Sequence, residues 1–169
     1  MELYYYKKVR KTWELLENRF YKHIEKLFMI RNYNITDLDK IIKIWLEWSY
    51  ISHNFISSEF WDSQVDDMKN IYIPSSETFV FEEDNKIKWF LSYYKWTVVA
   101  LFVHPDFQRR GIGTKLLDFI KDANKELNLN VYIENKKSTE YYISQWFKTR
   151  QIQTCQFTWH KEFFMIWNK

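Results

Sequence analysis

Apolar residues recur along this chain in two rhythms, and the switches between them mark its elements. In residues 11–28, "KTWELLENRFYKHIEKLF", Trp13, Leu16, Phe20, Ile24 and Leu27 follow at spacings of 3, 4, 4 and 3. That is one face of an amphipathic helix. From Met29 the elements become shorter. "MIRNYNI" predicts a short strand, and Thr36 with Asp39 three residues on predicts a capping box that opens a helix through Ile41, Ile42 and Trp45. A second helix follows Ser57 or Ser58, through Phe60, Trp61 and Val65. "ETFVFEED" and "KIKWFLSYY" flank the polar pair Asp84-Asn85 and predict a hairpin.

"TVVALFVHP" predicts the next strand, ended by Pro105. A helix then runs from about Gly113 to Leu127, followed by a strand "LNVYIE", a helix from roughly Lys137 to Gln145, and strands near 147–156 and 161–168. The order βααβββαβαββ predicts an α/β fold, a mixed sheet with helices on both faces. Residues 29–169 form one domain on this reading, and residues 1–28 are an extension. That extension is either a helix packed on the body or a partner, or a misassigned start upstream of a true beginning at Met29.

Composition narrows the class. A hydrophobic fraction of 46% with 28% charged residues fits a soluble globular domain. No apolar stretch approaches the ~20 residues that cross a bilayer, and no signal-peptide core is seen near the start. Cys155 is the only cysteine, so an internal disulfide is impossible, and a cytoplasmic setting is expected. Cys155 and His160 can share a hairpin, but two ligands make a poor metal site, so no metal is expected. The net charge of +3 resides entirely in residues 1–28, which hold 7 Lys/Arg against 4 Asp/Glu. The balanced body argues against a nucleic-acid-binding surface.

The chain's two glycines, Gly111 and Gly113, both lie in "FQRRGIGTKLL", between a predicted strand and a predicted helix. A helix N-terminus offers unpaired N–H groups and a partial positive charge, which together bind phosphate. A Cβ at either glycine obstructs that approach or forbids a positive φ. Arg109 and Arg110 add charge-assisted donors. A Rossmann fingerprint requires a third glycine where Leu116 stands, and a Walker A loop requires a wider glycine spacing.

The run Gln108-Arg109-Arg110-Gly111-Ile112-Gly113 resembles the Q/R-x-x-G-x-G/A signature of the GNAT N-acetyltransferase superfamily. "ALFVHPDFQRRGIG" is similar to that family's fourth strand and following loop. In "VYIENKKSTEYYISQWF", Asn135, Ser138, Tyr141-Tyr142 and Phe147 match the second half of its site. "WLEWSYISHNFI" and "FWDSQV" resemble the N-terminal helices of small bacterial members of the YiaC and YjaB type, so the likeness spans Met29 to Trp167.

The resemblance implies transfer of acetyl from acetyl-CoA to an amine by direct attack in a ternary complex. It implies that Gln108 to Gly113 cradle the coenzyme diphosphate and that backbone N–H groups of Leu101, Phe102 and Val103 polarise the thioester carbonyl. It also implies that Tyr142 protonates the leaving thiolate, and that Asn135 holds the pantetheine arm or positions the helix carrying Tyr142. A protein lysine or N-terminus is the expected acceptor. A small-molecule amine (antibiotic, polyamine or amino acid) and a non-catalytic acyl-CoA-binding module are the alternatives, with a monomer or homodimer as the assembly. His53 borders the acceptor region in relatives. For the base, Glu47, Glu77 and Glu82 are not separated by the sequence.

Nine tryptophans beside two glycines form an odd total. Family members tend to carry glycine where this chain has Trp89, Trp96, Trp146 and Trp159. One reading is that these four are UGA codons written here as Trp but decoded as Gly in the source cell. The other is that they are genuine, with Trp89 and Trp96 narrowing the acceptor side.

Overall fold

The structure, a computed structural model, describes residues 30–103 and 111–169. The helix predicted over 11–28 and the loop residues His104, Gln108, Arg109 and Arg110 lie outside them. Seven strands form one sheet in the order β1-β2-β3-β4-β5-β7-β6. They are β1 (Ile30–Asn32), β2 (Glu77–Glu83), β3 (Lys86–Tyr94), β4 (Thr97–Val103), β5 (Glu126–Tyr132), β6 (Lys148–Thr154) and β7 (Lys161–Asn168). Every neighbouring pair is antiparallel except β4 with β5. The expected element order is therefore the observed one.

Helices α1 (Leu38–Ser52) and α2 (Ser58–Ser63) cover one face of the sheet, and α3 (Ile112–Ala123) and α4 (Lys136–Ser144) cover the other. Alternation along the central strands feeds both layers. Val80, Phe90 and Ala100 pack with Ile41, Ile42, Trp45 and Trp61, whereas Phe81, Leu91 and Leu129 pack with Leu116, Leu117 and Ile120.

Several local expectations shift. The helix entry is capped by Asn34 and Asp37 rather than Thr36 and Asp39. Asn34 accepts from the Thr36 N–H at 3.1 Å, and Asp37 accepts from the Asn34 N–H at 2.8 Å. Arg31 donates to Asp37 at 2.7 Å and holds its carboxyl below the usual range, so a tertiary contact decides which acid caps. After α2 the chain stays helical to Ser75, through a π-helical turn at Met68–Tyr72. Helix α3 stops at Ala123, not near Leu127, because Asn124 is extended and its side chain caps the Ile120 carbonyl at 2.7 Å. Leu127 instead enters β5, fully buried. Asp84 and Asn85 have φ of 54° and 57°, the double left-handed turn that a two-residue hairpin needs.

The four tryptophans separate into distinct environments. Trp146 and Trp159 take φ of 67° and 63° and are 78% and 79% exposed. Trp89 is fully buried on β3, its ring edge-on to Phe81 at 4.6 Å, and its Nε1 lacks a hydrogen-bond partner. Trp96 lies in the exposed β3–β4 turn, before the first residue of β4. At about 3.3 Å per strand residue, that turn is roughly 20 Å from Val103 at the other end of β4. Trp96 therefore does not narrow a site at the strand's C-terminal end.

Candidate active site

The site begins with a defect in β4. Tyr93 pairs with Val98, but the next β3 residue, Ser92, pairs with Ala100, leaving Val99 as an extra residue. Such a bulge bends its strand and increases the twist. On the other side, β4 meets β5 only at Thr97↔Asn128 and Val98↔Leu129. Beyond the bulge the two parallel strands carry no further pairing, so Leu101, Phe102 and Val103 lie in the part of β4 that has left β5. All three are half-buried. A parallel sheet opened in this way exposes main-chain groups at the C-terminal ends of its strands, where α/β folds bind ligands.

The two glycines have different causes. Gly111 is the residue before α3, with φ 74° and ψ 15°, and a Cβ there meets nothing within 4 Å. Its requirement is the left-handed backbone, which sets the entry angle of the helix. Gly113 has no such φ. A Cβ there lies 3.1 Å from Tyr141 Oη and 3.5 Å from Val103 Cγ2. Of the two reasons expected for these glycines, Gly111 has the positive φ, and Gly113 sits close against α4 and β4. Ile112 is the first residue of α3, whose first-turn N–H groups face outward from the helix end. Gln108, Arg109 and Arg110 fall outside the described residues.

At the C-terminal end of β5, Asn135 caps α4. Its Oδ1 accepts from the Ser138 N–H at 3.2 Å, which leaves the Nδ2 amide to donate to His53 Nε2 at 3.3 Å. His53 Nδ1 then donates to Ser52 Oγ at 3.2 Å, and that hydroxyl donates to the Trp48 carbonyl at 2.7 Å. Burial among Phe55, Trp61 and Tyr132 lowers the His53 pKa to about 4, so the ring is neutral and its tautomer is set by these bonds. His53 is a structural link between α1 and the start of α4.

Tyr142 projects from the middle of α4. Its ring packs on Phe147 at 5.7 Å, and burial holds the phenol above its ordinary pKa. The phenol is therefore protonated at neutral pH and able to donate. Tyr141, one residue earlier, turns its hydroxyl toward Gly113, and burial holds its phenol above the ordinary range.

The three carboxylates considered as bases each face another partner. Glu47 is on the exposed face of α1 beside Lys43, Glu77 accepts from Tyr93 Oη at 2.9 Å, and Glu82 accepts from Arg31 Nε at 2.8 Å. Sequence reasoning passed over Glu134, next to Asn135, whose carboxylate accepts from His160 Nδ1 at 2.9 Å. The signal available was weak, because the two residues are 26 positions apart and meet only through the β5–β7 pairing.

A strand pair that separates beyond a bulge, a left-handed glycine leading into a helix, and a capped helix carrying a tyrosine are the features at which the GNAT resemblance implies coenzyme-dependent acyl transfer. Comparison with known proteins agrees. The family model "Acetyltransferase (GNAT) domain" matches residues 74–149. The Escherichia coli peptidyl-lysine N-acetyltransferase YiaC is 32% identical over 120 residues, covering 70% of this chain and 82% of that protein. The apo form of Escherichia coli YjaB superposes with a TM-score of 0.72 at 20% identity, covering 81% of this chain and 95% of that one. YncA from Salmonella typhimurium, solved with acetyl-CoA, superposes at 0.59 with 19% identity, over 82% and 92% of the two chains. The chain belongs to the GNAT family and is an N-acetyltransferase of the YiaC/YjaB type. Its cosubstrate is that of the family, acetyl-CoA. The opened strands and the helix end after Gly111 fit such a group.

Proposed function

We propose that this protein acetylates the side-chain amine of lysine in protein substrates, by direct attack in a ternary complex. The observation that carries this reading is the departure of β4 from β5 beyond Val98↔Leu129. It leaves a slot with Gly111 and the α3 N-terminus on one flank and the Asn135-capped helix with Tyr142 on the other. Main-chain N–H groups from Gln108 to Gly113, with Arg109 and Arg110, bind the diphosphate. Those of Leu101, Phe102 and Val103 stabilise charge on the thioester oxygen. Tyr142 returns a proton to the departing sulfur, and Asn135 fixes the helix that carries it.

Two things support a lysine acceptor. The relatives YiaC and YjaB are named peptidyl-lysine N-acetyltransferases. In addition, the entrance beside the β5 end is lined by the half-buried aromatic groups Phe55, Tyr132 and His160, whose centroids lie 5.1 to 6.3 Å apart. Such a lining suits a long aliphatic stem that ends in a cation. Thiol release from acetyl-CoA, measured with a lysine peptide, an α-amino peptide, spermidine and an aminoglycoside, tests the reading. Turnover of the lysine peptide well above the others is expected. Preferential turnover of a small amine overturns the protein-lysine assignment.

A further inference from the structure

The acceptor amine is an ammonium ion at neutral pH, because lysine has an ordinary pKa near 10.4, and only its neutral form attacks. A proton acceptor is therefore needed, and Glu47, Glu77 and Glu82 are engaged with Lys43, Tyr93 and Arg31. Four segments converge at the C-terminal end of β5: Tyr132 to Asn135, His53 to Phe55 after α1, the start of α4, and the β6–β7 turn from Cys155 to His160. Tyr142 approaches from the α3/α4 face, whereas Phe55 and Tyr132 belong to the α1/α2 face. Coenzyme phosphates anchored at the α3 N-terminus leave the α1/α2 face for the amine.

His160 lies on that face. Its ring is tilted against Phe55 at 5.1 Å, and its side chain is 30% exposed. A carboxylate can only accept, so the bond to Glu134 places the ring proton on Nδ1 and leaves the Nε2 lone pair available. Nε2 makes no hydrogen bond among the described residues. Two contacts hold the turn that carries His160: Cys155 N–H donates to the His160 carbonyl at 2.9 Å, and Tyr132 Oη donates to Cys155 Sγ at 3.5 Å. An exposed His–Glu pair of this kind adds little to stability, whereas a histidine oriented by a carboxylate at a reaction centre is a general base.

We propose that His160 is the general base of the acetyl transfer and that Glu134 is its positioning residue. This rests on the acetyl-transfer reading above and extends it to the acceptor side. The ammonium N–H proton passes to His160 Nε2. The freed nitrogen pair forms the C–N bond as the C–S bond breaks, the sulfur takes its proton from Tyr142, and the attacking nitrogen sheds its second proton to solvent to leave the neutral amide. The phenolate and the imidazolium then exchange protons with solvent.

The experiment uses the full chain with His160→Gln and Glu134→Gln, each assayed on whichever amine the wild type turns over best. His160→Gln is expected to lower kcat by about a hundredfold, and Glu134→Gln by about tenfold. Calorimetric affinity for acetyl-CoA and the thermal midpoint should stay at their wild-type values. Wild-type kcat in His160→Gln overturns the proposal, whatever the acceptor. Preference for a small amine overturns only the lysine reading, since the variant is still tested on that amine.

Discussion

The side-chain amide of Asn135 lies 3.3 Å from His53 Nε2, joining residues 82 positions apart. The bond requires a neutral ring, because a protonated Nε2 sets donor against donor. With burial as the main cause, the His53 pKa falls to about 4 from an ordinary value of 6.5. A depressed histidine pKa means that the unfolded chain takes up the proton first. His53 therefore contributes no pH dependence above 6.5, and stability is lost as pH falls from 6.5 toward 4. The loss reaches about 3 kcal/mol across that window. Urea titrations at pH 7.5, 5.5 and 4.5 check it, and His53→Gln should flatten the decline between the first two.

Tyr142→Phe removes the only hydroxyl assigned to the leaving sulfur while keeping the ring that packs on Phe147. Loss of a positioned general acid lowers kcat by about a hundredfold or more, with the thermal midpoint unchanged. Because burial raises the phenol's pKa, the wild-type acid stays protonated through the alkaline range in which an ordinary tyrosine ionises. A basic limb in kcat at or below about pH 10, lost in Tyr142→Phe, contradicts the raised pKa, and wild-type kcat in Tyr142→Phe overturns the acid role.

Gly113→Ala separates two reasons for a glycine. The added methyl lies 3.1 Å from Tyr141 Oη, so that hydroxyl must give by a few tenths of an ångström, and both stability and coenzyme affinity should fall. Combining it with Tyr141→Phe removes the obstructing oxygen. Recovery of the thermal midpoint together with calorimetric acetyl-CoA affinity is expected of a packing glycine. If the midpoint recovers while affinity stays low, the missing Cβ matters to the ligand directly. Gly111→Ala has no such partner: its φ of 74° alone costs about 1–2 kcal/mol.

Much of the fold was legible because the sheet's two faces impose strict alternation and its turns use recognisable residues, as at Asp84-Asn85. The Gly-x-Gly turn and the Asn135-to-Phe147 segment were legible because their spacing is local. What escaped was nonlocal. The bulge at Val99 has no side-chain signature, and Asp37 displaced Asp39 as a cap because Arg31 on β1 holds it. The Glu134–His160 pair depends on the register of β5 with β7, as Tyr132↔Glu162 shows. A one-residue slip turns side chains to the opposite face, and sequence spacing alone does not fix that register.

Tryptophan at two left-handed positions is the least expected feature of the chain, and it admits a direct test. After α4, the Trp146 N–H bonds to the Ile143 carbonyl and the Phe147 N–H to the Tyr142 carbonyl, both at 3.0 Å, with Phe147 packed on Tyr142. This is the Schellman ending, whose left-handed residue is usually glycine. Trp159 occupies the same conformation in the hairpin closed by the Cys155 N–H and the His160 carbonyl at 2.9 Å. A side chain there costs about 1–2 kcal/mol, and rings so exposed return almost nothing by burial. Glycine loses part of that gain to its freer unfolded chain. Trp146→Gly and Trp159→Gly are each expected to raise the thermal midpoint by about 2–4 °C, with unchanged or higher activity. Trp89→Gly should do the reverse if the buried ring is genuine, since it empties a core position against Phe81. Reading the coding DNA at positions 89, 96, 146 and 159 decides the origin: UGA at all four supports decoding as glycine in the source cell, and UGG at any of them makes that tryptophan native.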